Sequence, residues 1–334
     1  MGWAAAWPST PWLVADGRDY SARACMPLSL RRAGGPPPWY GCRGRWYGSR
    51  GRWYGCRGRG CKDLAMSATV LYERVGPVAK VTMNRPQYHN AQSRVLLEEL
   101  DEAFATAMAD HEVRVVALFG NGAHWSSGHD IGTPEELADR EARPYPDGVV
   151  GVHQRSWDWN VENTLRWRDL PKPTLAVVQG MCIYGGWMIA SAMDLIVAAD
   201  DAQFIPFLFQ YQSVPWDLGA RRAKDLMWEQ GLLDAAQAAE LGLVSDVWPR
   251  AELADRAMAK AERIAQLNPI VAQMVKRQVN DAQDHMGFRA AIAAGHQHYL
   301  VASLGGAFFD SARPFGSVRR MPGIDRARQG RSSP

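Results

Sequence analysis

Two glycine-bearing segments are the parts of this sequence best suited to chemistry. The first loop, residues 125–131, reads Trp-Ser-Ser-Gly-His-Asp-Ile, and the second loop, residues 180–186, reads Gly-Met-Cys-Ile-Tyr-Gly-Gly. Each lies at the end of an apolar run, and glycine lets a backbone approach a ligand closely because little or no side chain intervenes. If the loops face each other, two backbone N–H groups converge on one carbonyl oxygen. Such a pair stabilises an enolate or oxyanion, and losing one donor typically raises the barrier by about 3 kcal/mol.

The order and spacing of these loops and two further segments resemble the enoyl-CoA hydratase/isomerase (crotonase) superfamily. The further segments are Val-Thr-Met-Asn-Arg-Pro at 81–86, continuing to Asn90-Ala91, and Met-Asp-Leu-Ile at 193–196. The resemblance extends from about residue 68 to about residue 270, and more loosely over the C-terminal helices. It implies a superspiral of repeated strand–strand–helix units, an acyl-CoA substrate, and assembly as a homotrimer or a dimer of trimers. Closed symmetry is the usual arrangement of oligomers.

The resemblance implies that the oxyanion donors are the backbone N–H groups of His129 and Gly185. Gly185 also opens a predicted helix, where the first N–H groups are unpaired and the helix dipole favours negative charge. Because His129 contributes its main chain, its imidazole need not be catalytic. Ordinary tight turns are the alternative interpretation of the glycines, but their spacing and the Asn-Arg-Pro segment favour an oxyanion hole.

Two apolar residues argue against simple hydration. The hydratases of the family use two glutamates to hold a water and move a proton, and the resemblance places Met188 and Leu208 at those positions. Neither side chain titrates, so neither supplies the proton donor or acceptor that addition of water needs. The sequence therefore predicts a lyase or isomerase with standard hydratase activity in doubt. An acyl-CoA-binding homologue that has lost catalysis is the alternative within the same fold.

Asp217 is the carboxylate predicted to replace those glutamates as proton carrier. It lies within a residue of positions at which some relatives place an acidic or polar catalytic group. Burial beside Trp216 would raise its pKa and suit it to acid–base chemistry. The alternative is an N-cap, because aspartate commonly precedes a helix and Leu218 is a possible helix start.

The other candidates concern substrate binding. The resemblance places Arg85 in a nucleotide-contacting loop, and the backbone around Ser127 and Asp130 along the adenine and pantetheine. Trp157 lies on a helix that borders the acyl pocket in the family, although aromatic residues at helical spacing more often pack in a core. Tyr184 is a candidate hydrogen-bond donor, with a structural role as its alternative. The predicted substrate-binding residues are Arg85, Ser127, Asp130, Trp157, Tyr184, Met188, Leu208 and Trp216.

The residues between these motifs predict alternating strands and helices. β-Branched runs at 70–75 and 78–83 indicate two strands with a tight connection, and apolar residues at helical spacing follow over 95–108. A helix is predicted over 152–169, ending before a proline. The pattern is almost wholly helical from residue 219 onward. The predicted fold class is therefore α/β with a helical C-terminal region.

The first 65 residues differ in composition from the rest. They hold 11 Lys and Arg against 3 Asp and Glu, whereas the whole chain of 334 residues has a net charge of +3. Residues 39–59 repeat the heptad Trp-Tyr-Gly-Cys/Ser-Arg-Gly-Arg three times, and its two glycines disfavour a helix. We therefore predict a disordered extension at 1–65, arising from assignment of an upstream start codon. RNA contact through the repeat is the alternative, because aromatic rings and arginines bind single-stranded RNA.

The remaining expectations are a core over residues 66–265 and a helical region over 266–334 that serves oligomerisation and covers the CoA pocket. No apolar run reaches the roughly 18 residues that span a membrane. Four of the five cysteines lie in the extension, which indicates no disulfide framework in the core and predicts the cytoplasm. We expect no metal, no cofactor beyond the CoA thioester as substrate, and no nucleic-acid partner.

Overall fold

A six-stranded sheet lies at the centre of the structure, a computed structural model that describes residues 68–305. The strands of this part of the chain are β1 Val70–Val75, β2 Val78–Met83, β3 Val115–Gly120, β4 Thr174–Val178, β5 Met181–Ile183, β6 Leu195–Ala199, β7 Gln203–Ile205, β8 Leu233–Asp234 and β9 Asp246–Trp248. The main sheet has the order β1-β2-β3-β4-β6-β9, and a small sheet has the order β5-β7-β8. β1 is antiparallel to β2, and the other neighbours in the main sheet are parallel.

Helices cover both faces of the main sheet. They are α1 Arg94–Ala109, α2 Pro134–Ala142, α3 Gly148–Trp157, α4 Asn163–Arg168, α5 Gly185–Ala192, α6 Val214–Leu218, α7 Ala220–Trp228, α8 Ala235–Glu240, α9 Leu253–Ala265, α10 Pro269–His285 and α11 Phe288–Leu304. In β3, Val115 and Ala117 face α9, whereas Val116 and Leu118 belong to the larger core that includes α1. Parallel strands covered on both faces are apolar throughout, which explains the uninterrupted apolar run of β3.

The helix predicted over residues 152–169 contains a π-helical segment, which the sequence analysis did not foresee. α3, the π segment Asp158–Glu162 and α4 follow one another without a break, because Trp157 and Glu162 keep right-handed helical backbone angles. A π turn holds one more residue than an α turn, and such turns are frequent at functional sites. The extra residue changes which side chains of this helix face the interior.

The predicted α/β fold class and helical C-terminal region are confirmed. The strands at 70–75 and 78–83 lie where the sequence predicts them, and the region from residue 219 onward is mostly helical. The short strands β5, β7, β8 and β9 were not predicted. The division into 66–265 and 266–334 stays a prediction, and its boundary falls in the turn between α9 and α10.

The expectations for residues 1–65, including the RNA alternative, concern residues outside the described part of the chain. The same holds for the end of the C-terminal region beyond residue 305. Over residues 68–305, no helix has both the length and the apolar character needed to cross a membrane.

Candidate active site

The first and second loops lie side by side with their main chains in contact. The N–H of Ser126 donates to the carbonyl of Met181 at 3.1 Å, and the N–H of Ile183 donates to the carbonyl of Ser126 at 3.0 Å. A Cβ atom on Gly128 would lie 2.9 Å from the Ile183 oxygen and 3.1 Å from the Gly185 nitrogen. Gly128 also has a φ of +87°, which L-residues with side chains rarely adopt. The contact between the loops therefore requires glycine at position 128.

The N–H groups of His129 and Gly185 belong to this contact region. The main chain of Gln92 pairs with the residues on both sides of His129. The Gln92 N–H donates to the Gly128 carbonyl at 2.8 Å, and the Asp130 N–H donates to the Gln92 carbonyl at 3.1 Å. In such a parallel bridge the N–H of His129 points away from Gln92. Gly185 is the first residue of α5, where N–H groups lack helical acceptors. Within residues 68–305, neither N–H has a hydrogen-bond acceptor.

Tyr184 sets the entry of the second loop into α5. It precedes the helix with a φ of 47° and a ψ of −101°, a rare conformation for a residue with a side chain, and its N–H donates to the Ile205 carbonyl at 3.0 Å. Its ring packs near Phe207, and burial raises the pKa of its hydroxyl. The geometry gives Tyr184 a role in turning the chain, and the hydroxyl does not line the cavity described below.

Two glutamines hold the imidazole of His129. Its Nδ1 lies 3.1 Å from Gln92 Oε1, and its Nε2 lies 2.9 Å from Gln210 Oε1. Burial lowers the pKa of His129, although the hydrogen bond with Gln210 opposes this, so the ring is neutral near pH 7. A neutral imidazole has one donor and one acceptor. Because Gln92 Nε2 faces Ser126 Oγ at 3.4 Å, the Gln92 oxygen faces ring Nδ1. The Gln210 oxygen faces ring Nε2, so a neutral ring donates to only one of the two amide oxygens at a time.

A cavity of about 460 Å³ opens beside the His129 ring. Gln92 and Gln210 also line it, together with residues of α2, the segment 143–148, α3 and Tyr299 of α11. The Nδ1 atom of His129 would lie 2.9 Å from a Cβ on Gly185. The imidazole therefore lies between the loop contact and the cavity.

The π segment supplies one wall of the cavity. Trp159 and Asn160 line it, as does Arg155 from the preceding turn of α3. The indole N–H of Trp159 donates to the hydroxyl of Tyr145, and the Arg94 guanidinium lies 5.5 Å from the centre of the indole ring. This wall thus adds a guanidinium, an amide and an indole to a cavity that is elsewhere lined in part by aliphatic side chains.

Arg85 and Asp130 form a buried ion pair, which corrects the prediction that Arg85 contacts the nucleotide. Arg85 Nη1 lies 2.8 Å from Asp130 Oδ2, and both side chains are at most 4% exposed. Arg85 also donates to the Ala91 carbonyl at 2.6 Å and to Thr133 Oγ1 at 3.1 Å. A buried guanidinium with these partners is not available to a phosphate. Its contacts instead fix the first loop against residues 85–91.

Asp130 stays ionised within this pair. Burial alone would raise the pKa of Asp130, but hydrogen bonds from Thr133, Arg85 and the Gly132 N–H outweigh burial, and the pKa is lowered. Asn90 reinforces the same region, because its Nδ2 donates to the carbonyls of residues 121, 124 and 125. The Asn-Arg-Pro segment and Asn90 therefore act as a support for the first loop.

Asp217 lies half-buried beside α5 and does not line the cavity. Its carboxylate accepts from Trp187 Nε1 at 2.7 Å, Ser191 Oγ at 3.0 Å and Ser213 Oγ at 2.8 Å. Burial raises its pKa to about 6 in spite of these hydrogen bonds. The N-cap alternative was wrong, because Asp217 lies inside α6 and Gly219 is the residue that precedes α7. Asp217 as proton carrier stays a prediction.

The four other predicted substrate-binding residues do not line the cavity: Met188, Leu208, Trp157 and Trp216. Met188 is buried in α5, and Leu208 is half-buried after β7. Trp157 packs against the core with its ring 5.3 Å from that of His296, and Trp216 packs 5.3 Å from Phe288. The packing of Trp157 agrees with its core alternative, and a substrate contact at Trp216 stays a prediction.

Ser127 is a main-chain element of the first loop. Its N–H donates to the His89 carbonyl at 2.9 Å, so that N–H is occupied within the protein. No group of three or more His, Cys, Asp and Glu side chains in residues 68–305 is arranged to hold a metal ion. The expectations about CoA contacts at Ser127 and Asp130, and about metal and cofactor, stay predictions.

Sequence reasoning missed Gln92, Gln210, Arg155 and the imidazole of His129 as parts of the cavity. Glutamine has no titratable group, and no spacing rule marks it. Gln92 directly follows the Asn90-Ala91 pair, which was the one available signal. Arg155 lies two residues before Trp157 on a helix that was already assigned to the acyl pocket, but its direction depends on the packing of α3.

Comparison with known proteins identifies the family. Residues 73–301 match the family model described as Enoyl-CoA hydratase/isomerase. The chain is 37% identical over 246 residues to EchA13 of Mycobacterium tuberculosis, covering 67% of this chain and 77% of EchA13. A crystal structure of a probable enoyl-CoA hydratase from Mycobacterium smegmatis aligns with a TM-score of 0.65 and 35% identity, over 71% of this chain and 97% of that one. The hydroxycinnamoyl-CoA hydratase-lyase of Pseudomonas fluorescens is 28% identical over 218 residues, covering 62% of this chain and 76% of the relative.

The chain belongs to the enoyl-CoA hydratase/isomerase family and has its crotonase-like fold. It is an acyl-CoA-processing enzyme of that family. The resemblance inferred from the two loops and the Asn-Arg-Pro segment is confirmed.

Removing one partner of the buried Arg85–Asp130 pair should destabilise the protein strongly. Asp130→Asn leaves the buried Arg85 charge with only the more exposed Glu135 carboxylate, at 3.8 Å, as a counter-charge, and we expect the free energy of unfolding to fall by about 3 kcal/mol. Urea unfolding followed by circular dichroism measures this change. The control is Arg256→Ala, which breaks an exposed pair with Glu252 and should cost less than about 1 kcal/mol. A loss for Asp130→Asn as small as the control would contradict the structural role.

Asp217 should make stability depend on pH. Because its pKa rises from 3.8 in the unfolded chain to about 6 in the folded protein, the native state binds the proton more tightly. This contribution, at most about 3 kcal/mol, is fully present below pH 3.8 and is lost as the pH rises through about 6. We therefore expect the difference in unfolding free energy between the wild type and Asp217→Asn, taken as wild type minus variant, to be larger at pH 4 than at pH 7. A difference that does not change with pH, measured by urea unfolding, would show that the pKa is unperturbed.

Proposed function

We propose that the protein forms the enolate of an acyl-CoA thioester, with the thioester oxygen held by the N–H groups of His129 and Gly185. The observation that supports this is the contact between the two loops, which brings the Gly128 backbone within reach of the Gly185 nitrogen. Both N–H groups are without an acceptor in residues 68–305. The N-terminus of α5 adds a partial positive charge where negative charge develops.

The enolate accounts for the chemistry without the two hydratase glutamates. Two hydrogen bonds to the thioester oxygen favour the form in which negative charge has moved from the α-carbon to that oxygen. The α-proton then becomes easier to remove, and a bond at the neighbouring carbon becomes easier to break. Met188 and Leu208 offer no group that holds an attacking water. We therefore propose double-bond isomerisation or C–C cleavage, including decarboxylation, rather than simple hydration.

We propose the imidazole of His129 as the group that moves the α-proton. The ring lies beside Gly185 and lines the cavity, and its lowered pKa leaves it neutral and able to accept a proton near pH 7. Gln92 and Gln210 fix its orientation, and Nε2 becomes free when the Gln210 amide turns away. Asp217, the carrier favoured by the sequence, accepts three hydrogen bonds away from the cavity.

Exchange of α-protons with solvent tests both parts of this proposal. Butanoyl-CoA in D₂O, followed by proton NMR, reports enolate formation whatever the later steps are. We expect exchange with the wild type, and a slowing of about 100-fold or more in His129→Gln, which keeps the main-chain N–H. Butanoyl-CoA affinity by calorimetry should change little in this variant.

The control for the exchange experiment is Asp217→Asn, which we expect to keep most of the exchange rate. Loss of exchange in Asp217→Asn with normal exchange in His129→Gln would return the proton role to Asp217. Binding of butanoyl-CoA without exchange in the wild type would favour the acyl-CoA-binding alternative. Absence of binding would contradict the acyl-CoA site altogether.

We propose that the protein is a homotrimer or a dimer of trimers, assembled partly through α10. One face of α10 carries exposed apolar side chains, at 43–69% exposure: Ile270, Val271, Met274, Val275 and Val279. Contiguous apolar surface of this kind marks interaction sites, and a second copy of the chain is the occupant that the family resemblance implies. We further propose a cytoplasmic location and a reaction without metal or redox cofactor, because enolate chemistry at a thioester requires only proton transfer and hydrogen bonds.

A charge on the α10 face should disrupt assembly. Val275→Glu places a carboxylate among the exposed apolar side chains, and we expect the molar mass by light scattering after gel filtration to fall to that of the single chain. Thr106→Glu adds the same charge to an exposed position of α1 and should leave the mass unchanged. A wild-type protein that already elutes as a single chain would contradict the proposed assembly.

A further inference from the structure

Four arginines line the cavity, and they are not equivalent. They are Arg94, Arg140, Arg143 and Arg155. Arg140 pairs with Glu136 at 2.6 Å. Arg143 pairs with Glu98 at 2.6 Å, and Arg94 lies 3.6 Å from Glu98. These three charges are balanced within the protein.

Arg155 differs because its guanidinium has neither a carboxylate within 4.0 Å nor a hydrogen-bond acceptor among the side chains and backbone of residues 68–305. It is half-buried on α3. Burial, followed by the nearby charge of Arg140, lowers its pKa, which reflects the cost of keeping this charge away from water. Arginine nevertheless stays protonated in proteins. An unpaired positive charge therefore lies on the cavity wall.

The position of Arg155 relates it to the reacting end of the cavity. Its charge is one of those that lower the pKa of His129, so the two groups share the same cavity. The His129 imidazole marks the loop contact where the thioester would lie. An acyl group that extends from that contact into the cavity would pass Arg155, which lies one helical turn before Trp159 in the cavity wall.

A guanidinium in this setting favours one ligand chemistry. Its planar set of N–H donors matches a carboxylate, which accepts two parallel hydrogen bonds. Leaving a half-buried charge unpaired is unfavourable, and pairing it with a ligand recovers the lost interaction. Gln92, Asn160 and Gln210 add uncharged hydrogen-bonding groups to a lining that also includes the aliphatic residues Leu97, Ile131 and Val152. The cavity therefore offers apolar surface to the methylene groups of an acyl chain as well as a charged partner for its end.

We propose that Arg155 binds a carboxylate at the far end of the substrate's acyl group, so that the enzyme takes CoA monothioesters of dicarboxylic acids. This inference rests on the proposed acyl-CoA site and goes beyond it by naming the substrate class. Arg155 is then a specificity-determining residue rather than a catalytic one. The paired arginines shape the cavity, and Arg155 selects the charge of the acyl group.

Matched pairs of saturated thioesters test the proposal by calorimetry, since they bind without elimination or isomerisation of a double bond. Glutaryl-CoA is compared with pentanoyl-CoA, and adipyl-CoA with hexanoyl-CoA, each pair having equal chain length. We expect the wild type to bind at least one carboxylated member about tenfold or more tightly than its partner, the effect of a charge-assisted hydrogen bond. Arg155→Gln should abolish this preference while keeping the affinity for pentanoyl-CoA, and Arg155→Lys should retain part of it.

Arg166→Gln is the matched control, because Arg166 lies on α4, is exposed, and pairs with Asp101. It removes the same charge and should leave the preference intact. Equal affinities within both pairs in the wild type, or a preference that persists in folded Arg155→Gln, would overturn the inference while leaving the acyl-CoA site in place. Failure of all four thioesters to bind would overturn the acyl-CoA site and the inference together.

Discussion

The main-chain contact between the first and second loops is the constraint on which the rest of the site depends. Ser126 pairs with the second loop on both sides of Cys182, and Gly128 leaves no space for a side chain next to the Gly185 nitrogen. Backbone contact of this kind is rigid, because each hydrogen bond fixes the next residue along both segments. It fixes the positions of the His129 and Gly185 N–H groups, as the proposed electrostatic stabilisation of a developing charge requires.

Buried polar groups around this contact hold it in place. The Arg85–Asp130 pair and Asn90 fix the first loop against the residues after β2. Asp217 accepts hydrogen bonds from two side chains of α5 and from Ser213, which directly precedes α6. These bonds fix the helix that begins at Gly185. Arg85, Asp130 and Asp217 are the charged candidates for chemistry in the sequence, and each has hydrogen-bond partners that hold the main chain. Asp217 as a proton carrier stays a prediction. The glutamines at 92 and 210, which have less chemical character, contact the imidazole.

Much of the fold follows from local sequence, and less of the site does. The β-branched runs at 70–75 and 78–83 and the apolar run of β3 specify their strands, because strand pairing and burial both favour them. Gly185 was identifiable from the sequence as the start of a helix. The π segment was not, since an inserted residue within a helical pattern becomes visible only through packing. The partners of Asp217 and the unpaired state of Arg155 depend on residues far away in sequence, which spacing rules do not relate. Residues 1–65 lie outside the structural description, so their expectation stays a prediction.

The infrared spectrum of a bound thioester tests the central claim most directly. Butanoyl-CoA labelled with ¹³C at its carbonyl gives a stretch that can be separated from the protein bands by difference spectroscopy. Two N–H groups converging on the oxygen weaken the C=O bond, so we expect this stretch to move to lower frequency on binding than in water. A bound thioester whose carbonyl stretch equals that in water, or lies above it, would contradict a shared oxygen site at residues 129 and 185.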